Sequence, residues 1–286
     1  MDGREPEEET AGTAAAACTR RTAWVLRPDG RLEVEERLLA VERPVTLFLN
    51  GQELVTVVAT PDHLRELAYG YLADEGLIRR AEEVTVCVVG AESGQVRLRV
   101  PALLERPPEL GRRWLTACCG RARPTLYFAN DADLEPVPAG EELDGAAVLR
   151  LMAALEVRPP VLGETGALHW AAVGDAGGLW VRRADVGRHN ALDKVVGWCL
   201  LHGRSPAGRV VVFSGRVSSE VVIKAARLRA AWIVSNAAPT ALALELAEML
   251  NLTVAGFVRG GGATLYTHPW RLRTPAGVGG RAPALP

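Results

Sequence analysis

Beyond residue 168 the chain alternates short strand-like runs with helical stretches, and this alternation most limits what it can fold into. H-W-A-A-V and L-W-V-R-R lead into the helix H-N-A-L-D-K-V-V-G-W-C-L-L. R-V-V-V-F precedes a helix around Ser218–Arg229, and W-I-V-S precedes a helix over Pro239–Leu250. L-T-V-A-G-F-V, the turn Gly260-Gly261-Gly262 and A-T-L-Y-T close the series. Strands alternating with helices predict an α/β layer structure. No internal repeat is present.

The first part reads as β-rich. T-A-W-V-L, P-D-G and R-L-E-V-E-E-R-L form one hairpin pattern; P-V-T-L-F-L, Asn50-Gly51 and Q-E-L-V-T-V-V-A form another. Asn-Gly tolerates the positive φ angles of a tight hairpin turn. Thr60-Pro61 is expected to open a helix, with Thr60 as N-cap and Pro61 at the first helical position, and Gly76 to stop it. A further helix is predicted over Gly145 to Glu156, capped by Asp144. The division expected is an unstructured acidic segment 1–20, a β-rich subdomain 21–125, an α/β domain 126–273 and an unstructured tail 274–286.

Composition narrows the function classes. Lys+Arg is 33 and Asp+Glu 34, a formal net charge of −1, so the chain lacks the cationic excess of a general nucleic-acid binder. No apolar run reaches the roughly 18 residues of a membrane helix. The acidic start lacks an apolar signal core, and five cysteines without a leader fit the cytoplasm better than a disulfide scaffold. C-x-x-C and H-x-E are both absent, so no zinc site is expected. Of the 33 basic residues only Lys194 and Lys224 are lysines. Lysine offers a compact, titratable amine where arginine does not.

Several segments carry candidate chemistry. Cys118-Cys119-Gly120 lies among Arg112, Arg113, Arg121 and Arg123, and neighbouring cations favour thiolate over thiol. The alternative is a buried, inert pair. D-V-G-R-H-N-A-L-D-K, residues 185–194, crowds Arg188, His189, Asn190, Asp193 and Lys194 at a strand-to-helix turn, where backbone N–H groups favour anions. Ser214-Gly215-Arg216 repeats that pattern. Glu220 and Lys224, four residues apart, would form a structural pair on the helix that follows. Phe257-Val258-Arg259-Gly260-Gly261-Gly262 reads either as an anion nest or as a plain hairpin turn. His169 is of interest only if it faces the others.

Taken together, R-P-V-T-L-F-L-N-G, A-T-P-D-H-L-R-E-L-A-Y-G-Y-L, Cys119-Gly120, E-T-G-A-L-H, D-V-G-R-H-N-A-L-D-K, S-G-R-V-S-S-E-V-V-I-K-A, S-N-A-A-P-T-A-L-A and G-F-V-R-G resemble the formate dehydrogenase accessory sulfurtransferases, the FdhD family. The resemblance spans about residues 43–267. It implies a cytidine-deaminase-like α/β domain without zinc and a smaller β-rich N-terminal domain. It implies a cytoplasmic, typically dimeric sulfur carrier. Such a carrier accepts sulfur from a cysteine desulfurase as a persulfide on Cys119 and passes it to the molybdenum or tungsten of bis(molybdopterin guanine dinucleotide), before that cofactor enters the formate dehydrogenase catalytic subunit. Phe257 to Gly262 would hold part of the cofactor; Arg188, His189, Asn190, Lys194, Ser214, Gly215 and Arg216 would line the remainder.

The sequence departs from the family pattern at the loop, usually C-G-x-C-G. Here Ala122 and Arg123 stand at the second C-G, so one cysteine is missing and Cys118 is an extra neighbour. One thiolate is chemically sufficient to carry a persulfide. The loss motivates a second reading, a cofactor-binding chaperone without sulfur transfer. A cysteine hydrolase using Cys119 with His169 or His189 as base is a third.

Overall fold

Residues 17–105, 114–115, 122–123 and 134–273 are described by the structure, a computed structural model. Cys118 and Cys119 lie outside them, so the expectations for the cysteine loop concern residues not described here.

The centre of the larger unit is a six-stranded mixed sheet. Its strands are β10 (His169–Asp175), β11 (Gly178–Asp185), β12 (Val210–Phe213), β13 (Trp232–Ser235), β14 (Thr253–Arg259) and β15 (Gly262–Leu265), in the spatial order β11-β10-β12-β13-β14-β15. β12, β13 and β14 pair in parallel, while β10 runs antiparallel to both β11 and β12. Both faces are covered, which explains the unbroken apolar run Val210 to Phe213. Side chains alternate across a strand, so Val211 and Phe213 enter one core and Val210 and Val212 the other.

Helix α3 (Gly145–Glu156) covers the second of these faces through Ala147, Val148, Leu151, Met152 and Leu155. Asp144 caps it as expected, accepting from the Ala147 amide at 2.6 Å. α5 (Arg188–Leu201), α6 (Ser219–Arg227) and α7 (Ala241–Met249) cover the other face, each following a strand.

The N-terminal part adds two layers outside α5. β3 (Arg43–Leu49), β4 (Gln52–Ala59), β5 (Val86–Gly90) and β6 (Gln95–Arg99) form a sheet ordered β4-β3-β6-β5. Asn50 and Gly51 turn the β3–β4 hairpin at φ 52° and 88°, as expected for this dipeptide. α1 (Leu64–Asp74) packs Leu64, Leu67, Ala68 and Leu72 on this sheet and presents its other side to α5. Two glycines permit that crossing. A Cβ on Gly70 would sit 1.8 Å from the Asp193 carbonyl oxygen, and one on Gly197 would sit 1.9 Å from that of Glu66.

The remaining hairpin, β1 (Cys18–Leu26) with β2 (Leu32–Ala40), is a sheet of two strands. It begins inside segment 1–20, expected to lack structure. Cys18 pairs with Ala40, and both pack on the larger core. Helix α1 also departs from expectation. It starts at Leu64 after His63 at φ 47°, not at Pro61, because Thr60 is engaged elsewhere: its hydroxyl accepts from the Val186 amide at 3.1 Å.

Buried ion pairs join α1 to the larger unit. Arg183 on β11 donates to both Glu66 oxygens, at 2.6 and 2.8 Å, and both side chains are largely buried. Burial pushes the Glu66 pKa up, but the hydrogen bonds from Arg183 and His63 and the Arg183 charge prevail, and it lies below its ordinary 4.5. A carboxylate depressed on folding stabilises the fold above its unfolded pKa, and that gain is lost as pH falls through the folded value. The stability advantage of wild type over Glu66→Gln, about 3 kcal/mol for a broken buried pair, should therefore hold at neutral pH. It should shrink below pH 4.5. Urea titrations at pH 7 and at pH 3.5 to 4 measure it; a difference constant with pH would contradict this assignment.

Candidate functional site

The carboxyl ends of β11, β12, β13 and β14 lie at one edge of the large sheet. β10 is antiparallel, so its first residue, His169, lies there too, opposite Asp185. This edge is where open α/β sheets place ligands. The three segments singled out in the sequence, 185–194, 214–216 and 257–262, all begin there. Chains that leave such strands into helices present free backbone N–H groups at the crevice.

The turn after β11 is held by a buried network. Asp185 is fully buried; Oδ1 accepts from the Gly187 amide at 2.7 Å and from Asn190 Nδ2 at 3.1 Å, while Oδ2 accepts from the Thr60 amide at 3.1 Å. Lys194, also fully buried, reaches Asp185 Oδ2 at 2.7 Å, Asp62, and the Thr60 carbonyl oxygen at 3.1 Å. Burial alone would disfavour the ammonium, but Asp185 and Asp62 outweigh it and raise the Lys194 pKa. Asn190 also donates to the Val58 carbonyl oxygen at 2.8 Å. The link from β4 to α1 therefore clamps the turn that starts α5.

These contacts correct the expected roles of Lys194 and Asn190. Neither side chain lines the open edge; both position the turn carrying Arg188 and His189. Val258 is likewise wholly buried in the sheet core. The expected Glu220–Lys224 pair does not form in the way proposed. Lys224 binds Asp74 on α1 at 2.7 Å and Asp193 on α5, while Glu220 Oε2 lies 3.0 Å from His189 Nε2. Segment 257–262 forms a hairpin turn: Arg259 pairs with Gly262, and Gly260 and Gly261 form the exposed tip. Space around both glycines is open, so backbone there is accessible to a ligand.

At the edge remain His169, Arg188, Ser214 to Arg216 and the Phe257–Gly262 tip, while His189 is buried against Glu220. Arg216, Phe257 and Arg259 are exposed and Arg188 is half-buried. Ser214 ties β12 to β10, accepting from the Trp170 amide at 2.7 Å. Burial and then the Arg188 charge lower the His169 pKa below 6.5, so its imidazole is neutral near pH 7 and can accept a proton. Sequence reasoning made His169 of interest only if it faced the others, as it does here, gave Glu220 and Thr60 other partners, and missed Asp62. The signal for the aspartates was the pair of lone lysines, which buried in this fold need carboxylate partners.

Two of the three described cysteines are poor thiolates; the third, Cys18, is half-buried. Burial first, and then the Glu66 charge, push the Cys199 thiol up to about 12, and burial raises that of Cys87. A thiolate is the attacking species, so neither suits sulfur exchange. No group of three or more His, Cys, Asp or Glu among the described residues is placed to hold a metal ion, and no described helix is long and apolar enough to cross a membrane.

Residues 40–273 match the model of the FdhD/NarQ family. This chain belongs to that family. It is 40% identical over 256 residues to the sulfur carrier protein FdhD of Bacillus subtilis (strain 168), covering 88% of this chain and 97% of the relative. To the sulfur carrier protein FdhD of Geobacillus kaustophilus it is 41% identical over 246 residues, 85% of this chain and 93% of that one. A crystal structure from Desulfotalea psychrophila, described as a formate dehydrogenase accessory protein, superposes with a TM-score of 0.73 at 26% identity, over 90% of this chain and 100% of the other. In this chain the edge just described is where segments 185–194, 214–216 and 257–262 converge.

Proposed function

We propose that this chain is a sulfur carrier for formate dehydrogenase. It takes sulfur from a cysteine desulfurase as a persulfide on Cys119. It then delivers that sulfur to the metal of bis(molybdopterin guanine dinucleotide), its acceptor substrate, before the cofactor enters the formate dehydrogenase catalytic subunit. The observation that carries this reading is the convergence of three loops, two of them expected from sequence to meet an anion and the third an open Gly-rich tip, on one sheet edge bearing Arg188, Arg216 and Arg259.

In the loading step the Cys119 thiolate attacks the outer sulfur of the donor persulfide. A new S–S bond forms, the donor S–S bond breaks, and the donor cysteine leaves as thiolate. In delivery the reduced acceptor metal supplies an electron pair to the outer sulfur; the metal–sulfur bond forms, the S–S bond breaks with its pair returning to Cys119 as thiolate, and the metal is oxidised by two electrons. With Cys199 and Cys87 held as thiols, the cation-flanked Cys119 is the better carrier. The acceptor is a dinucleotide rich in phosphate, which suits arginine forks and helix-start N–H groups. His169, neutral and beside Arg188, can accept a proton at this edge.

The missing second loop cysteine, replaced by Ala122-Arg123, favours the chaperone as the second reading. Reconstitution separates the two: desulfurase, cysteine, acceptor cofactor and cofactor-free formate dehydrogenase are combined with wild type or Cys119→Ser. The sulfur carrier requires that Cys119→Ser abolish activation while guanine-dinucleotide binding survives. Full activation by Cys119→Ser would establish the chaperone instead.

The larger unit is read as cytidine-deaminase-like, supported by its mixed sheet covered on both faces. A reducing compartment preserves a carrier thiol, which supports the cytoplasm. The chain is also proposed to form a homodimer through the β1–β2 hairpin. Trp24 pairs with Val34 and Leu26 with Leu32, so four apolar side chains share one face, each more than half exposed. A lone two-stranded sheet is marginal in water, and a twofold interface brings the same patch of both copies together. Trp24→Glu combined with Leu32→Glu should convert a dimer to a monomer in sedimentation velocity; an unchanged mass would place the dimer contact elsewhere or exclude it.

A further inference from the structure

Four Lys or Arg side chains among the described residues are almost fully buried: Arg183, Lys194, Lys224 and Arg271. The first three follow one rule. Arg183 holds Glu66, Lys194 holds Asp62 and Asp185, and Lys224 holds Asp74 and Asp193. Arg271 breaks it. It is 0% exposed, yet its Nε and Nη2 have no hydrogen-bond partner. Its Nη1 donates to the Thr253 hydroxyl at 2.9 Å, and its Cζ lies 4.4 Å from the centroid of the Trp270 ring. The Thr253 hydroxyl spends its own hydrogen on the His268 carbonyl oxygen at 3.2 Å. The ring covers a face of the guanidinium and leaves its edge unanswered. Burial pushes the Arg271 pKa down, with no acid acting against it. A guanidinium does not shed its proton near neutral pH, so it stays charged where a charge without a partner is disfavoured.

Nε–H and Nη2–H are the two parallel donors with which arginine grips two oxygens on one centre. Thr253 opens β14, so this fork lies at the amino edge of the parallel strands, opposite the proposed transfer edge. We infer that Arg271 is the anchor of an anion site at this second edge, taking a small oxyanion through the open Nε/Nη2 fork, with Trp270 as its cover. Carboxylate, sulfate and phosphate share the required pair of oxygens. Trp270 is 57% exposed and Arg271 0%, so an oxyanion reaches the fork only when this exposed ring moves off the guanidinium. The site therefore fills from a minor open state, which lowers its apparent affinity by the open fraction.

The test is nitrogen-15 NMR of the arginine Nε–H groups in the full chain. The Arg271 signal is assigned by its loss in Arg271→Lys. Acetate, sulfate and phosphate are titrated separately against chloride at matched ionic strength. A saturable shift of that signal with an oxyanion, absent with chloride, is the expected result. Acetate against sulfate and phosphate then tells a planar from a tetrahedral ligand. Trp270→Ala, which leaves the anchor in place, should tighten binding several-fold by removing the cover; it also identifies the signal, as the one whose titration midpoint moves, if Arg271→Lys does not fold. An Arg271 signal that responds to no oxyanion beyond chloride, in wild type and in Trp270→Ala, would overturn the site and leave water as the occupant of the fork.

Discussion

Replacing Lys194 with methionine should lower the unfolding free energy by about 3–5 kcal/mol, the range for removing one partner of a buried ionic cluster. The methylenes of the side chain are nearly conserved, so the loss is electrostatic. Asp62 and Asp185 would remain buried and facing each other, and the Thr60 carbonyl oxygen would lose a donor. Asp185 holds the Gly187 amide and Asn190, so the turn that aims Arg188 and His189 should loosen as well. Guanine-dinucleotide binding should weaken by about tenfold or more, equivalent to about 1.4 kcal/mol. A urea midpoint shifted with unchanged slope would establish the stability effect. Lys194→Arg should not rescue it, because a planar fork cannot occupy the position of a compact ammonium. A stability loss under about 1 kcal/mol, the range of an exposed pair, would show that the cluster is not the clamp described.

Gly197→Ala carries the second large effect, about 3 kcal/mol, at the upper end for overpacking a tight contact. The added methyl would fall 1.9 Å from the Glu66 carbonyl oxygen, and backbone cannot step aside as a side chain can. α1 and α5 must separate, which also stretches the Arg183–Glu66 and Lys224–Asp74 pairs. Gly70→Ala meets the Asp193 carbonyl oxygen at 1.8 Å across the same crossing. The double variant should cost less than the sum of the two, since helices already parted by one methyl admit the second more easily. Gly145→Ala, where a methyl meets nothing within 4 Å, is the control and should change stability by no more than about 0.5 kcal/mol. Equal effects at Gly145 and Gly197 would contradict the close crossing.

The fold and the site were legible in the sequence to different depths. Local chemistry identified the Asn50-Gly51 turn, the Asp144 cap and the alternation of strands and helices, because each depends on residues adjacent in the chain. It misplaced the start of α1, since Thr60 bonds to Val186 and Asp185, far along the chain. It paired Glu220 with Lys224 by helical spacing, whereas Asp74, Asp193 and His189 arrive from other helices and win both partners. Lys194 and Asn190 were read as ligand contacts because polar crowding at a helix start looks the same whether it faces a ligand or a buried clamp. Gly70 and Gly197 sit inside helical stretches, and only the fold shows that they face the same crossing. The three loops proposed to face an anion were legible individually; their meeting at one sheet edge follows from strand order, which spacing does not encode.

The most direct test of the central claim is the intact mass of the protein after incubation with a cysteine desulfurase and cysteine. Wild type, Cys118→Ala and Cys119→Ala are measured side by side, with a two-cysteine relative to establish that the donor is active. The account predicts a gain of one sulfur, about 32 Da, in wild type and Cys118→Ala and none in Cys119→Ala, as single-thiol exchange requires. No gain in wild type with an active donor, or a gain that persists in Cys119→Ala, would contradict it.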